Sequence, residues 1–180
     1  MRIHPFTRSL AVALICTLPA LPAMAARFEL QGGISYMGNP SNGYDTPVAF
    51  GEVIFDPHQI GSSNFTWSPD VTGGWINGRD GHSVAQYNTD RPTTRDSVWL
   101  LAGGARIHYG PTNAWYQPFF LSFQPAVHTG RTQSLSSVYE FVTTVGYQGD
   151  HWSLGLRHIS NGSFHEPNRG ETMVVAGVAF

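Results

Sequence analysis

The stretch "TMVVAGVAF", residues 172–180, ends the sequence and alternates in character from one residue to the next. Successive side chains of a β-strand point to opposite sides, so alternate residues share a face. One such face is largely apolar and ends in an aromatic ring; it consists of Thr172, Val174, Ala176, Val178 and Phe180. A strand of this kind lies either at the edge of a soluble sandwich or against the hydrocarbon of a membrane.

The other end of the sequence predicts export. Arg2 and Arg8 lie close to the short apolar stretch "LAVALICTLPALPA", and "AMA" at 23–25 is a small-residue cleavage site. We therefore expect residues 1–25 to be removed as a signal peptide and residues 26–180 to form one domain. Cys16 falls within the signal, so we expect neither a disulfide nor a cysteine-ligated metal in the mature chain.

The composition favours strands that cross a membrane. Glycine (20 residues) and aromatic residues (13%) are plentiful, whereas charged residues make up 12% of the sequence. No segment of the mature chain is apolar over the length that a transmembrane helix needs. The chain has no lysine and no basic run, and loss of the two signal-peptide arginines moves the formal net charge from −2 to −4. We therefore expect no nucleic-acid partner.

Alternation between apolar and polar residues recurs along the mature chain and predicts eight strands. Eight is an even number and the smallest common size of a membrane barrel. A last strand that ends in phenylalanine resembles the C-terminal signature of bacterial outer-membrane barrels, so the predicted fold is an all-β, eight-stranded antiparallel transmembrane β-barrel of the outer membrane. The predicted strands are 27–38, 46–56, 63–70, 97–109, 114–128, 136–148, 151–160 and 171–180.

The connections between these strands alternate in length and predict an orientation. Outer-membrane barrels have short periplasmic turns and longer extracellular loops. The N-terminus is therefore expected in the periplasm, and the outer end of the seventh strand at the extracellular side. The short connections are 57–62, 110–113 and 149–150; the longer ones are 39–45, 71–96, 129–135 and 161–170.

A histidine and a serine lie at that outer end, in "RHISNGS", residues 157–163. Parity places His158 and Ser160 on the same lipid-facing side as the apolar residues that begin the strand. Residues two apart in a strand have Cα atoms roughly 6.5 Å apart, so the imidazole can lean towards the hydroxyl and serve as its base. Asn161, or a backbone N–H near Gly162, could donate a hydrogen bond to a developing oxyanion.

The residues around this pair resemble the lipid A 3-O-deacylase (PagL) family over about the last 25 positions. His158, Ser160 and Asn161 match the family's "H-x-S-N", and "PNRG" at 167–170 matches its "P-N-x-G". The resemblance implies an eight-stranded outer-membrane barrel with a Ser-His-Glu triad on its outer surface that hydrolyses the 3-O-linked acyl chain of lipid A. It also implies that Glu171 is the acid of the triad.

The position of the acid departs from the family pattern. In that pattern one residue separates the glycine from the glutamate, whereas Glu171 follows Gly170 directly. Counting back from Phe180 also gives Glu171 the inward parity, so a bulge or an irregular strand start would be needed to turn it outward. Glu166 is the alternative acid.

Other functions are also compatible with a small barrel. A non-catalytic adhesin or structural protein would use the long loops, and a lipid A acyltransferase would share the fold and the substrate. We expect lipid A or lipopolysaccharide and outer-membrane lipid as partners, and no cofactor. A homodimer is compatible with the sequence, which leaves the oligomeric state open. No metal site is expected, because the remaining histidines lack ligand spacing; they include His82, His128, His151 and His165.

Overall fold

The computed structural model describes residues 26–37, 44–79, 97–132, 134–166 and 168–180. The predicted signal peptide, residues 1–25, lies outside these ranges. In the part of the chain that is described, no helix is long and apolar enough to cross a membrane.

The described ranges form eight long strands and one short one. The short strand is a two-residue extension within the connection that follows the second long strand, and it pairs with the next strand. The strands are β1 (Ala26–Met37), β2 (Tyr44–Phe55), β3 (His58–Gln59), β4 (Phe65–Ile76), β5 (Val98–Tyr109), β6 (Phe119–His128), β7 (Tyr139–Gln148), β8 (Trp152–Ser160) and β9 (Glu171–Ala179).

Antiparallel pairing closes the eight long strands into a barrel. β1 pairs with both β2 and β9, and the order then runs through β8, β7, β6 and β5 to β4. The pairing of β2 with β4 joins the two ends of this sheet. The predicted eight-stranded antiparallel barrel is therefore confirmed.

The outward face of the barrel is apolar, as the alternation in the sequence predicts. Val174 and Val178 are 50% and 54% exposed, whereas Met173 and Val175, which point inward, are buried. Leu101, on the opposite side of the barrel, is 58% exposed. A belt of exposed large apolar side chains suits contact with lipid hydrocarbon.

Paired charges lie in the interior of the barrel. Glu52 accepts hydrogen bonds from Arg106 at 2.8 Å, from Arg157 at 3.0 Å and from Gln31 at 2.7 Å. Glu29 lies 3.7 Å from Arg106 and completes the network. Buried charges need such partners, because removing them from water is costly. Arg106, Arg157, Glu29 and Glu52 therefore form a buried ion-paired network inside the barrel.

The third long strand extends further than the sequence predicts. The predicted strand 63–70 and loop 71–96 are wrong at their shared boundary, because β4 continues to Ile76 and pairs with β2 from Ile54↔Asp70 to Val48↔Ile76. Gly74 resembles a strand breaker in the sequence. In the barrel a Cβ at this position would lie 2.1 Å from the Phe50 ring, so the glycine makes room for that side chain.

Two predicted strands begin too early. The predicted start at 114 falls within a series of turns, in which Ala114 N–H donates to Pro111 O at 2.9 Å and Phe119 N–H donates to Tyr116 O at 3.1 Å. β6 therefore begins at Phe119. The predicted start at 136 also fails, because Ser136 is buried in the preceding connection and β7 begins at Tyr139.

Candidate active site

His158 and Ser160 lie on the outward face at the end of β8. Burial alternates along this strand: Ser153 and Arg157 point inward and are buried, whereas His158 is exposed and Ser160 is partly exposed. The predicted lipid-facing parity of His158 is therefore confirmed. The strand is regular and pairs without interruption with β7 and β9.

The imidazole of His158 is held by a residue that the sequence analysis did not single out. Nδ1 of His158 lies 2.8 Å from Thr172 Oγ1. The two residues are direct cross-strand partners of β8 and β9, so their side chains stand next to each other on the outward face. The hydroxyl can donate to or accept from the ring nitrogen, depending on the tautomer.

The absence of a side chain at Gly170 leaves the space that the imidazole of His158 occupies. This residue has φ +66°, and a Cβ there would lie 2.7 Å from His158 Cε1 and 3.0 Å from Nε2. Because Ile159 pairs with Glu171, the same register continued by one step sets Gly170 beside Ser160. The Nε2 side of the ring is thus directed towards the level of Ser160, while Nδ1 faces Thr172.

Ser160 and His158 share a face but are not bonded to each other. Among the described residues no hydrogen bond involves the Ser160 hydroxyl, and His158 bonds only to Thr172. A nucleophile–base hydrogen bond is often loose in a free enzyme and tightens when the substrate binds. The arrangement can therefore place a serine hydroxyl and a base around a reacting carbonyl.

Glu171 lies inside the barrel. Its carboxylate accepts hydrogen bonds from Arg79 at 2.8 Å and from Ser35 Oγ at 2.5 Å, and the residue is fully buried. The inward parity counted from Phe180 is confirmed. The structure therefore does not bring Glu171 together with His158 and Ser160. Side chains of consecutive strand residues point to opposite faces of the sheet, and Glu171 points to the inner face.

Glu166, the alternative acid, lies in the exposed connection between β8 and β9. Its carboxylate accepts a hydrogen bond from the Asn168 N–H at 3.2 Å. Neither predicted carboxylate forms a hydrogen bond with the imidazole, whose partner among the described residues is the Thr172 hydroxyl.

Asn161 directs its side chain into the barrel end rather than towards the lipid face. Its Nδ2 donates to Ser136 Oγ at 3.2 Å and to His165 O at 2.9 Å, and the residue is buried. By contrast, Gly162 is exposed, has φ +66°, and its N–H has no acceptor among the described residues. Of the two predicted oxyanion donors, the backbone at Gly162 is the accessible one.

Buried serines tie together the two connections beside the site. Ser134 O accepts a hydrogen bond from Gly170 N–H at 3.1 Å, and Ser136 Oγ lies 2.9 Å from His165 O. These contacts fix the backbone on both sides of Ser160. They were not predicted, because they join residues that are distant in the sequence.

Aromatic rings extend from Ser160 across the outer surface. Phe141 is the cross-strand partner of Ser160, it stacks on Phe123 with ring centroids 5.6 Å apart, and Phe164 packs against its edge at 6.2 Å. A groove of about 430 Å³ runs from Phe141 past Pro125. This apolar surface could hold a hydrocarbon chain.

The described residues contain no group of three or more histidine, aspartate or glutamate side chains placed to hold a metal ion.

Comparison with solved structures finds two structures of one outer-membrane protein that resemble the chain. The crystal structure of the Yersinia pestis attachment invasion locus protein Ail, in complex with the heparin analogue sucrose octasulfate, is 6% identical with a TM-score of 0.42, covering 86% of this chain and 97% of Ail. The backbone structure of Ail in a phospholipid bilayer nanodisc is 12% identical with a TM-score of 0.43, covering 86% and 99%. No curated protein sequence matches the chain.

Comparison with family models is more specific. The model described as Lipid A 3-O-deacylase (PagL) matches residues 59–180, which is more than half of the chain. The matched range contains β4 to β9 and therefore both His158 and Ser160. The chain thus belongs to the lipid A 3-O-deacylase (PagL) family and is a carboxylic ester hydrolase of the bacterial outer membrane.

Proposed function

We propose that this enzyme removes the 3-O-linked acyl chain of lipid A with Ser160 as the nucleophile and His158 as the general base. The observation that carries the proposal is the position of both side chains on the outward face at the end of β8. Trp152, Leu154 and Leu156 precede them on the same face and are about half exposed, as lipid contact requires. Contact with hydrocarbon does not explain why an imidazole and a hydroxyl lie at the end of this apolar face of β8.

The chemistry has two steps. Ser160 Oγ attacks the ester carbonyl carbon while His158 Nε2 takes the hydroxyl proton. When the tetrahedral intermediate collapses, the bond to the sugar oxygen breaks and His158 returns the proton to that oxygen. Water, deprotonated by His158, then attacks the acyl-enzyme, which releases the fatty acid and restores the Ser160 hydroxyl.

The Gly162 N–H is the proposed donor to the oxyanion. It lies two residues after the nucleophile, belongs to an exposed residue and has no acceptor among the described residues. An oxyanion-hole donor stabilises the charge that develops on the carbonyl oxygen and is worth about a hundred- to thousandfold in turnover. The Asn161 amide supports this donor indirectly, because it holds the backbone through Ser136 and His165.

The third member of the catalytic unit has two candidate assignments. The family resemblance assigns it to Glu171. In that assignment the carboxylate would have to leave Arg79 and Ser35 and pass to the opposite face of β9. The other assignment uses a residue that is already in contact with His158.

The substrate class follows from the surroundings of Ser160. Phe141 and Phe164 offer an apolar surface beside the hydroxyl, and the groove next to Phe141 continues it. With the 161–170 connection at the extracellular side, this surface faces the lipid A leaflet of the outer membrane. An acyl chain of lipid A can then lie along the barrel wall with its ester carbonyl at Ser160.

Mass spectrometry of lipid A tests the proposal. The wild-type enzyme, incubated with lipopolysaccharide, should remove one acyl chain; Ser160→Ala and His158→Ala should each lower the rate by about a thousandfold or more. Ser62→Ala is a matched control, because Ser62 is an exposed serine in the connection between β3 and β4. Full activity of folded Ser160→Ala would contradict the proposal. Unchanged lipid A would favour an adhesin, and a gained acyl chain an acyltransferase.

A further inference from the structure

We propose that Thr172 is the positioning residue of His158 and takes the place that the family pattern gives to a glutamate. The inference rests on the proposed function of His158 as the general base. In this chain Glu171 then has a different task, which is to anchor the start of β9 from inside the barrel.

The contacts of His158 support an orienting role for Thr172. A general base of this kind uses Nε2 towards the nucleophile and is held at Nδ1 by an orienting group. Here Nδ1 lies 2.8 Å from Thr172 Oγ1, and the Nε2 side of the ring lies against Gly170, beside Ser160. The hydroxyl therefore occupies the position of the orienting group.

The spacing between Gly170 and Thr172 in the sequence also supports this role. The family pattern leaves one residue between its glycine and its glutamate. Counted from Gly170, that pattern falls on Thr172 and not on Glu171. Position 172 is the one that faces outward and pairs across the sheet with His158. Position 172 thus carries a hydroxyl at the place in the fold that faces the imidazole.

The interior contacts of Glu171 keep its carboxylate away from His158. Turning its carboxylate outward would remove the 2.8 Å partner of Arg79, which is itself buried. A shift of β9 by one residue would also move Val174 and Val178 from the lipid face into the barrel. Both changes are costly, so Glu171 stays on the inner face.

A hydroxyl and a carboxylate do different things for an imidazole. The Thr172 oxygen can accept a hydrogen bond from the Nδ1–H of His158, which leaves Nε2 free to act as the base and fixes the plane of the ring. It brings no negative charge to balance the imidazolium that forms during the reaction. Thr172 should therefore influence turnover through the geometry of His158 rather than through substrate binding.

Removal of the hydroxyl tests this role. Thr172→Val keeps the β-branched shape, so the barrel should fold and KM should change little, while kcat should fall about ten- to a hundredfold. Thr172→Ser restores the hydroxyl and should recover most of kcat. The matched control is Thr143→Val, because Thr143 pairs with His158 on the other neighbouring strand and its side chain has no hydrogen bond to the imidazole.

Two results would overturn the inference. An unchanged kcat in folded Thr172→Val would show that the hydroxyl does not position the base. A loss in Thr172→Val that Thr172→Ser does not recover would assign the effect to packing. Ser160→Ala and His158→Ala, measured in parallel, separate this outcome from a failure of the proposed function: if both are inactive while Thr172→Val is normal, only the inference about Thr172 fails.

Discussion

The backbone of Gly170 lies directly against the imidazole of His158, where a Cβ would come within 2.7 Å of Cε1. The positive φ of +66° also makes this position unfavourable for any L side chain. Two independent constraints thus require glycine next to the base.

Gly170→Ala should therefore displace the ring of His158 and lower kcat about tenfold or more, with a smaller effect on KM. Gly130→Ala is the matched control, because Gly130 has φ +69° and no atom near its potential Cβ. Steady-state kinetics of both folded variants measure the difference. If the two variants lose the same small factor, backbone strain alone accounts for the loss and the contact with His158 has no catalytic importance.

Glu171→Gln should destabilise the barrel more than it slows the chemistry. The change removes the charge that balances buried Arg79, and a broken buried ion pair costs about 3–5 kcal/mol. The temperature at which the folded band converts in heat-modifiability gels should fall.

The turnover of the Glu171→Gln fraction that remains folded separates the two assignments of the third residue. Turnover should stay within a few-fold of wild type if Thr172 positions the base, and should fall by orders of magnitude if Glu171 is the triad acid. Glu166→Gln is the control, because Glu166 is exposed and should affect neither property.

Phe164→Ala should weaken substrate binding. The ring is 73% exposed and extends the apolar surface beside Phe141, so its loss removes contact area for an acyl chain. KM for lipopolysaccharide in mixed micelles should rise several-fold, with kcat little changed. Phe119→Ala removes a comparable exposed ring from the start of β6, at the far end of the barrel, and should leave KM unaltered. Equal effects of the two changes would argue against a binding surface next to Ser160.

Deletion of Phe180 should impair assembly of the barrel in the outer membrane while export continues. Phe180 is 75% exposed, and its backbone N–H donates to Phe28 O at 2.9 Å, where the last strand meets the first. The amount of heat-modifiable barrel in outer-membrane fractions measures assembly. Phe180→Tyr keeps an aromatic end and should assemble normally. A normal yield after the deletion would show that this residue is dispensable.

The alternation of apolar and polar residues predicted the faces of the strands well. Because a strand has a period of two, the lipid-facing residues of β8 determine that His158 is outside and Arg157 inside. This assignment does not depend on the conformation of the loops. The same rule placed Glu171 inside. The structure agrees with that parity rather than with the triad role that the resemblance suggested for Glu171.

Strand boundaries and tertiary contacts were less accessible from the sequence. The end of β4 depends on its pairing with β2, which is distant in the sequence, and Gly73 and Gly74 look like turn residues without that partner. The role of Asn161 depends on Ser136, which is 25 residues away. Thr172 could have been found, because it shares the outward face of the last strand and pairs with His158 if the two strands form a hairpin.

The salt-bridged network of Glu52, Arg106 and Arg157 has a kinetic consequence for an enzyme with its site on the outer wall. These paired side chains lie across the lumen, so under the mechanism proposed here lipid A would reach Ser160 by lateral diffusion within its own leaflet. The relevant substrate concentration is then a mole fraction in the bilayer, and dilution of lipid A with inert lipid slows the reaction even when the bulk amount is constant.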